Sequence, residues 1–262
     1  TAPGLQLIEH ARRIASECEA AESAMRGLRE GWLGRVRIGS TLTALMYDLP
    51  PILRRLRMDH PKIELVVTNM STRDAVEKLV QNTIDYALVT LPIKSAMLKA
   101  TALRPQVCVA ILPATTRDIP DEITPAYVAR QPLVLEHDRG AVHALVTHWL
   151  SKHLPLARPP MYVGIIEAAK QAVASGLGMS IVPDVAVAEP IAEIVVRPLR
   201  PAIPCTLGLA ERRHKPSEPA FEIVRTALLA LRTIGEAASD GRRRARSAVA
   251  LKKPAKRPDR RR

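Results

Sequence analysis

Polar residues that could bind a small molecule follow several of the predicted strands. Ser40 and Thr41 come directly after the alternating segment Arg35–Gly39, and Thr90 follows Ile84–Val89. In open α/β sheets, ligands bind beyond the carboxyl ends of parallel strands, where hydroxyl groups and the free N–H groups of helix N-termini come together. Because these groups donate hydrogen bonds to anions, they favour an acidic small molecule.

A second group of polar strand ends lies in the later half of the chain. The strand predicted at Leu133–Leu135 leads into a polar segment that contains Arg139 and Gly140, and the strand at Met161–Val163 leads into Gly164. The Arg139 guanidinium can form a charge-assisted hydrogen bond with a carboxylate. The two groups of strand ends could therefore face one ligand.

Helix capping is the structural alternative for these hydroxyls. Ser and Thr are common N-caps, and Ser71 with Asp74 three residues later has the spacing of a capping box. Taken one at a time, Ser40 and Thr41 are better explained as caps. As a converging set, the polar strand ends favour a binding cleft.

The sequence contains no motif that nominates a catalytic residue, a metal ligand or a cofactor site. A GxSxG elbow, an HExxH pair, a P-loop and a Cys–His signature are all absent. His143, His148 and His153 are spaced by five residues, which places them on different faces of a helix and argues against a zinc site. Gly176-Leu177-Gly178 follows a helix pattern, so a helix-ending turn explains it better than a dinucleotide-binding loop. We expect no cofactor, no metal and no enzymatic activity.

The positive charge of the chain is concentrated near its C-terminal end. The formal net charge is +13, and residues 241–262 alone hold 11 Lys/Arg and one Asp. This basic tail has no apolar periodicity and is expected to be disordered. It either confers solubility or adds salt-sensitive contacts to DNA phosphates, and both interpretations stay open. Aromatic content of 3% argues against binding nucleic acids by base stacking.

Cysteine spacing and hydropathy indicate a cytoplasmic protein. Cys18, Cys108 and Cys205 are odd in number and form no CxxC pair, so reduced thiols fit better than a disulfide framework. Charged residues interrupt the N-terminal segment, which therefore lacks a signal-peptide core. No segment approaches the ~18 apolar residues of a membrane span. We expect no membrane partner.

Strand and helix patterns alternate along residues 34–234, which predicts an α/β fold with βαβ units and mostly parallel strands. One sheet of nine strands is possible, but two smaller sheets are more economical for this length. The predicted strands are Arg35–Gly39, Ile63–Thr68, Ile84–Val89, Val107–Leu112, Leu133–Leu135, Met161–Val163, Met179–Val182, Ile194–Arg197 and Thr206–Ala210. The predicted helices are Leu45–Met58, Thr72–Asn82, Ala141–His153, Ile166–Ser175 and Pro219–Ile234.

A heptad pattern precedes the first strand, over residues 5–30. Its apolar positions are separated alternately by four and three residues for about three heptads, which is typical of a coiled-coil seam. Dimerisation is the favoured interpretation, and packing of this helix on its own domain is the alternative. The predicted seam consists of Leu7, Ala11, Ile14, Cys18, Ala21, Met25 and Leu28.

Together these segments resemble the effector-binding part of LysR-type transcriptional regulators, from residue 1 to about residue 234. The order and spacing of six segments carry the resemblance. The segments are Thr1–Gly4, the helix at 5–30, Gly34–Gly39, Leu53–Leu65, Leu79–Val89 and Val173–Pro183.

The resemblance implies two Rossmann-like subdomains, as in type 2 periplasmic binding proteins, preceded by a long linker helix. Residues 1–33 would form the linker and dimerisation helix. Residues 34–105 with 204–236 would form subdomain I, residues 106–203 subdomain II, and residues 237–262 the basic tail.

The resemblance also implies a small effector, expected to be anionic, in the cleft between the subdomains. Thr90 stands where some members have an arginine, which argues against a strongly polyanionic effector. The positions that match the family's ligand contacts are Ser40, Thr41, Leu42, Thr72, Thr90, Arg139, Gly140, Ile165 and Ile166.

The family's winged helix-turn-helix ends at a segment that Thr1-Ala2-Pro3-Gly4 resembles. We therefore expect the DNA-binding domain to be missing from this chain, and the full-length protein to bind DNA as a homodimer or tetramer. A solute-binding protein without a regulatory role has the same fold and is the main alternative. An enzyme on this scaffold is a third hypothesis, for which the sequence offers no catalytic pair.

Overall fold

The computed structural model describes residues 33–136, 140–213 and 218–232, together with part of the first 32 residues. The described positions in that first part are 1, 3–4, 6–8, 10–11, 14–15, 18, 21–22 and 25. The basic tail and Arg139 lie outside the described residues.

Strands and helices alternate along the described chain, as the sequence pattern predicts. The strands are β1 (Gly34–Ser40), β2 (Ile63–Asn69), β3 (Tyr86–Leu91), β4 (Leu98–Pro113), β5 (Val134–Glu136), β6 (Met161–Val163), β7 (Ser180–Pro183), β8 (Ile194–Pro198) and β9 (Pro204–Arg212). The α-helices are α1 (Leu42–Tyr47), α2 (Leu49–Asp59), α3 (Thr72–Val80), α4 (Pro125–Val128), α5 (Ala141–Leu150), α6 (Ile166–Ala174) and α7 (Pro219–Leu229), and 3₁₀ turns lie at Ser151–His153 and Asp184–Val187.

The sheet is mixed, and the expectation of mostly parallel strands is wrong. Its strand order is β2-β1-β3-β9-β4-β7, and β8 also pairs with β4. In this seven-stranded sheet β1 is parallel to β2 and β3, but the pairs β3–β9, β9–β4, β4–β7 and β4–β8 are antiparallel. β5 and β6 form a separate two-stranded parallel sheet. The reason is that β4 carries the chain away from the first strands and β9 brings it back beside them.

The long strand β4 serves two parts of the molecule. Residues Leu98–Val107 pair with β9, whereas Cys108–Pro113 lie between β7 and β8. The two smaller sheets expected from the sequence are therefore joined through β4. A β-bulge between Ala102 and Arg104 shifts the register where the strand approaches the crossing.

Two groups of buried side chains lie on either side of this crossing, and we call them the first and second lobes. In the first lobe, α2 and α7 cover one face of β1 and β3, and α3 covers the opposite face. Tyr86 and Leu88 point to the first face and Ala87 and Val89 to the second, as the two-residue period of a strand requires. In the second lobe, α5 and α6 pack on either side of β4 and β7.

Local sequence determines where several helices begin and end. Pro50 and Pro51 divide the single helix predicted at 45–58 into α1 and α2, with proline in the first turn of α2. Ser71 caps α3 as predicted, since its Oγ accepts a hydrogen bond from the Asp74 N–H at 3.1 Å. After α6, Leu177 N–H donates to the Ala172 carbonyl at 3.0 Å, which confirms the helix-ending turn.

Apolar positions of the N-terminal seam lie on the surface of the single chain. Leu7, Ile14 and Met25 are helical and are 70%, 66% and 68% exposed. Ala11, Cys18 and Ala21 are also helical and exposed, and Leu28 lies outside the described residues.

No helix of the described chain is long and apolar enough to cross a membrane. Cys18, Cys108 and Cys205 are free thiols.

We expect Gly178→Ala to lower the free energy of unfolding by about 2 kcal/mol or more. Gly178 has φ +154°, and a Cβ there would lie 2.4 Å from the Pro132 carbonyl oxygen. Urea denaturation measures the change. Gly164→Ala is the matched control, because a Cβ at Gly164 meets nothing within 4 Å. Equal losses in the two variants would contradict the prediction.

Candidate functional site

The carboxyl ends of parallel strands in both lobes open onto one cleft. In the first lobe Ser40 pairs with Asn69, so β1 and β2 end together, and in the second lobe Glu136 pairs with Val163. The cleft has a cavity volume of about 210 Å³. Its lining residues are Thr41, Leu42, Thr43, Ala44, Asp48, Asn69, Met70, Ser71, Thr72, Thr90, Gln106, Glu136, Gly140, Ala141, Val142, Gly164, Ile165, Pro183 and Leu207.

Most of the positions predicted to contact ligand come together in this cleft. Ser40 does not line it: the side chain is buried and its hydroxyl donates to the Thr41 carbonyl at 3.0 Å. Ile166 does not line it either, because its side chain is buried in the second-lobe core with residues of β4 and β7. Arg139 lies outside the described residues. The predicted positions that do line the cleft are Thr41, Leu42, Thr72, Thr90, Gly140 and Ile165.

Several lining residues were not nominated from the sequence. Asn69 and Glu136 end parallel strands, so the strand-end rule applied to every strand would have included them. Gln106 lies in the half of β4 that the sequence pattern did not predict. Asp48 lies between two short helices that were predicted as one.

Hydroxyl groups on the first-lobe wall are held by backbone hydrogen bonds. Thr72 Oγ1 accepts a hydrogen bond from the Thr90 N–H at 3.2 Å, which ties the start of α3 to the end of β3. Thr41 N–H donates to the Leu88 carbonyl at 3.1 Å and positions the start of α1. These bonds fix a row of polar groups along one wall.

Two helices of the second lobe begin at the opposite wall without a side-chain cap. Gly140 precedes α5 and Ile165 precedes α6, and neither residue makes a capping hydrogen bond through its side chain. The first N–H groups of a helix have no partner within the helix, and they carry a partial positive charge. These two helix starts can therefore donate hydrogen bonds to an acidic group in the cleft.

Two carboxylates line the cleft, and their surroundings differ. Asp48 is buried and forms an ion pair with Arg104 from β4, with 2.8 Å between Oδ1 and Nη2. Glu136 shows no hydrogen bond or ion pair from its carboxylate among the described residues, and burial raises the pKa of its carboxyl. Its backbone carbonyl oxygen lies 3.2 Å from His143 Nδ1. Glu136 is thus the carboxylate that remains available to a ligand.

A wider groove continues from the cleft toward solvent. It has a volume of about 640 Å³ and shares Thr72, Gly140 and Ala141 with the cleft. Arg73 and Lys94 line it, and both are exposed. Positive charge is therefore placed at the mouth of the cleft.

A polar cluster joins the lobes beside the cleft. Tyr47 at the end of α1 donates a hydrogen bond to the Glu167 carboxylate, and Lys170 Nζ donates to Tyr47 Oη at 2.9 Å and to Glu167 Oε2 at 3.0 Å. Burial and the bond to Glu167 raise the pKa of Tyr47. Burial alone lowers the pKa of Lys170, but its hydrogen bonds to Tyr47 and Glu167 outweigh burial and leave that pKa raised.

Within the described part of the chain, no three His, Cys, Asp or Glu side chains are grouped to hold a metal ion. The groups that line the cleft are hydroxyls, amides, helix starts and two carboxylates. They suit reversible binding of a small polar molecule.

Comparison with known proteins identifies the family. The family model described as LysR substrate binding domain matches residues 29–232. The chain belongs to the LysR substrate-binding domain family. The resemblance predicted from the six sequence segments is therefore confirmed.

Relatives of this LysR domain are named as transcription regulators. The transcriptional activator IlvY of Salmonella typhimurium is 28% identical over 205 residues, which cover 72% of this chain and 67% of the activator. The chain thus spans about two thirds of this relative. The relatives' names describe regulators rather than enzymes, in agreement with the expectation of no enzymatic activity.

Solved structures show the same fold for the LysR domain. The regulatory domain of CcmR from Synechocystis PCC6803, in complex with 2-PG, has a TM-score of 0.66 at 20% identity and covers 75% of this chain and 96% of its own. Full-length CbnR in complex with its target DNA has a TM-score of 0.66 at 18% identity, with 88% and 82% covered. The predicted α/β fold of type 2 periplasmic binding proteins is confirmed.

We expect Glu136→Gln to make the ligand-free protein more stable than the parent at neutral pH, but not near pH 4. A raised pKa in the folded state means that folding favours the protonated carboxyl. Compared with the variant, the parent has its full free energy of unfolding below the unfolded pKa of about 4.3. It loses stability relative to the variant as the pH rises through the folded pKa. Urea denaturation at a series of pH values measures the difference.

Glu193→Gln is the control for this measurement, because Glu193 is exposed on the same lobe. Its stability should follow that of the parent at every pH. A Glu136→Gln variant that also follows the parent from acid to neutral pH would contradict the prediction.

Proposed function

We propose that this chain is the effector-sensing part of a LysR-type transcription regulator. It binds a small acidic metabolite in the cleft and passes the signal to a DNA-binding domain outside the chain. The observation that carries this proposal is the cleft itself, whose walls are strand ends and helix starts of both lobes. A ligand that contacts both walls binds one relative arrangement of the lobes better than another, and so shifts their equilibrium.

The proposed subdomains are residues 34–105 with 204–236, and residues 106–203. The chain passes between them along β4 and β9, which makes these two strands the hinge about which the lobe angle changes. The described helical positions between residues 3 and 25 precede the first lobe in sequence, and we infer that they transmit a change of lobe angle toward a DNA-binding domain.

Two comparisons support this proposal, one for binding of a small effector and one for binding of DNA. The CcmR regulatory domain was solved in complex with 2-PG, and CbnR in complex with target DNA. For this chain, an acidic effector is supported by the hydroxyls Thr41, Thr72 and Thr90 and by the uncapped starts of α5 and α6.

We expect Thr41→Val and Thr90→Val each to weaken binding of an acidic effector about tenfold, because each removes a hydroxyl donor from the cleft wall. A panel of small carboxylates is titrated while the thermal midpoint of unfolding is recorded, and binders raise this midpoint. Thr68→Val is the control, since Thr68 is exposed on β2 and does not line the cleft. If both cleft variants responded like the parent to every acid in the panel, the proposed effector site would be wrong.

Self-association through the N-terminal seam is part of the proposed function. The described seam positions place apolar side chains in solvent, which a second copy of the helix would cover. We expect Ile14→Asp to raise the dimer dissociation constant about a hundredfold, because a charge would be buried in an apolar seam. Sedimentation velocity over a range of concentrations measures it.

Ala15→Asp adds the same charge one position away from the seam, at an exposed site. This control should remain dimeric. A parent chain that sediments as a monomer would favour the solute-binding alternative instead.

A further inference from the structure

Resting on the proposed function, we propose that the effector is a zwitterion of the amino acid class, whose ammonium group is bound by Glu136 and whose acidic group is bound by the hydroxyls and helix starts of the cleft. Three observations carry this step: the position of the Glu136 carboxylate, the charges that line the cleft, and the volume of the cavity.

The Glu136 carboxylate faces the cleft and does not take part in the described hydrogen bonds and ion pairs of the fold. It lies at the end of β5 on the second-lobe wall, and none of the described residues forms a hydrogen bond or ion pair with it. The backbone of the same residue is fixed by pairing with Val163 and by the contact of its carbonyl oxygen with His143. Its Oε2 lies 3.5 Å from the Cβ position of Gly140, which places the carboxylate at the start of α5.

The described lining residues offer no cation that would balance a purely anionic ligand beside Glu136. Lys and Arg do not occur among the described lining residues, and the Asp48 carboxylate is already paired with Arg104. An acid placed beside Glu136 would meet a like charge in partly desolvated surroundings. An ammonium group on the same molecule removes that repulsion and gives the carboxylate a charge-assisted partner.

The acidic end of such a molecule has separate partners. The uncapped start of α6 and the first-lobe hydroxyls donate hydrogen bonds, and Arg73 and Lys94 place positive charge at the mouth. The cleft therefore offers an acceptor on one side and donors on the others, which is the pattern a dipolar ligand requires.

The volume of the cavity fits a molecule of this class. At about 210 Å³, it is smaller than the roughly 300–1,000 Å³ of sites for drug-sized ligands. Burial raises the pKa of Glu136, and an adjacent ammonium group would lower it again by favouring the ionised carboxylate.

The test uses the full chain and calorimetric titration with matched ligands. Each standard amino acid is compared with its 2-hydroxy acid, which keeps the carboxylate and side chain but replaces the ammonium with a hydroxyl. We expect at least one amino acid to bind about tenfold or more tightly than its hydroxy acid. Glu136→Gln should weaken binding of that amino acid by about tenfold to a hundredfold, while the hydroxy acid should bind at least as tightly as to the parent, because a like charge is removed.

Two further variants make the result specific to Glu136. Glu136→Asp keeps the charge and should retain part of the preference for the amino acid. Glu193→Gln makes the same chemical change at an exposed site outside the cleft and should bind like the parent.

The outcomes separate this inference from the proposed function. If the hydroxy acids bind as tightly as the amino acids, or if Glu136→Gln keeps the preference, the zwitterion inference is overturned while the effector site stands. If no amino acid binds, the inference is also overturned. The proposed function then stands if acids without an ammonium group bind, and falls if none of them does.

Discussion

Hydrogen bonding between β4 and β9 determines where every other element of this protein can lie. The two antiparallel strands are paired from Leu98 to Val107, and both strands contribute side chains to the cores of both lobes. Because β3 pairs with β9 while β7 and β8 pair with β4, one seven-stranded sheet runs through both lobes, and the two-stranded sheet of β5 and β6 is separate from it. The cleft exists because the parallel strands of each lobe end on the same side of this crossing.

Sequence patterns predicted most of the elements, because most strands are buried on both faces and read as short apolar runs. The segment Met161–Val163 was predicted with its observed bounds, and Ser71 was identified as a cap. The first half of β4 was missed: Lys99, Arg104 and Pro105 interrupt its apolar pattern. Its partner β9 lies about a hundred residues away, and such long-range pairing leaves no local signal.

The location of the cleft at strand ends was predictable from the sequence, but the side chains that line it were only partly predictable. The strand-end rule brought Thr41, Thr90 and Gly140 to one place although they are far apart in sequence. The same rule could not separate the cleft-facing Thr41 from the buried Ser40, since neighbouring residues of a turn point in different directions. Nor could it show that Arg104 forms an ion pair with Asp48, because Arg104 lies in the part of β4 that the sequence pattern did not predict.

The six-residue helix α1 begins at the cleft and ends at the polar cluster between the lobes. Leu42 at its first turn lines the cavity, and Tyr47 at its last residue contacts Glu167 and Lys170 of α6. A helix of this length spans about 9 Å and is too short to bend appreciably. Under the proposed function, a ligand that moves Leu42 would also move the Tyr47 hydroxyl and so reach the opposite lobe without acting through the sheet.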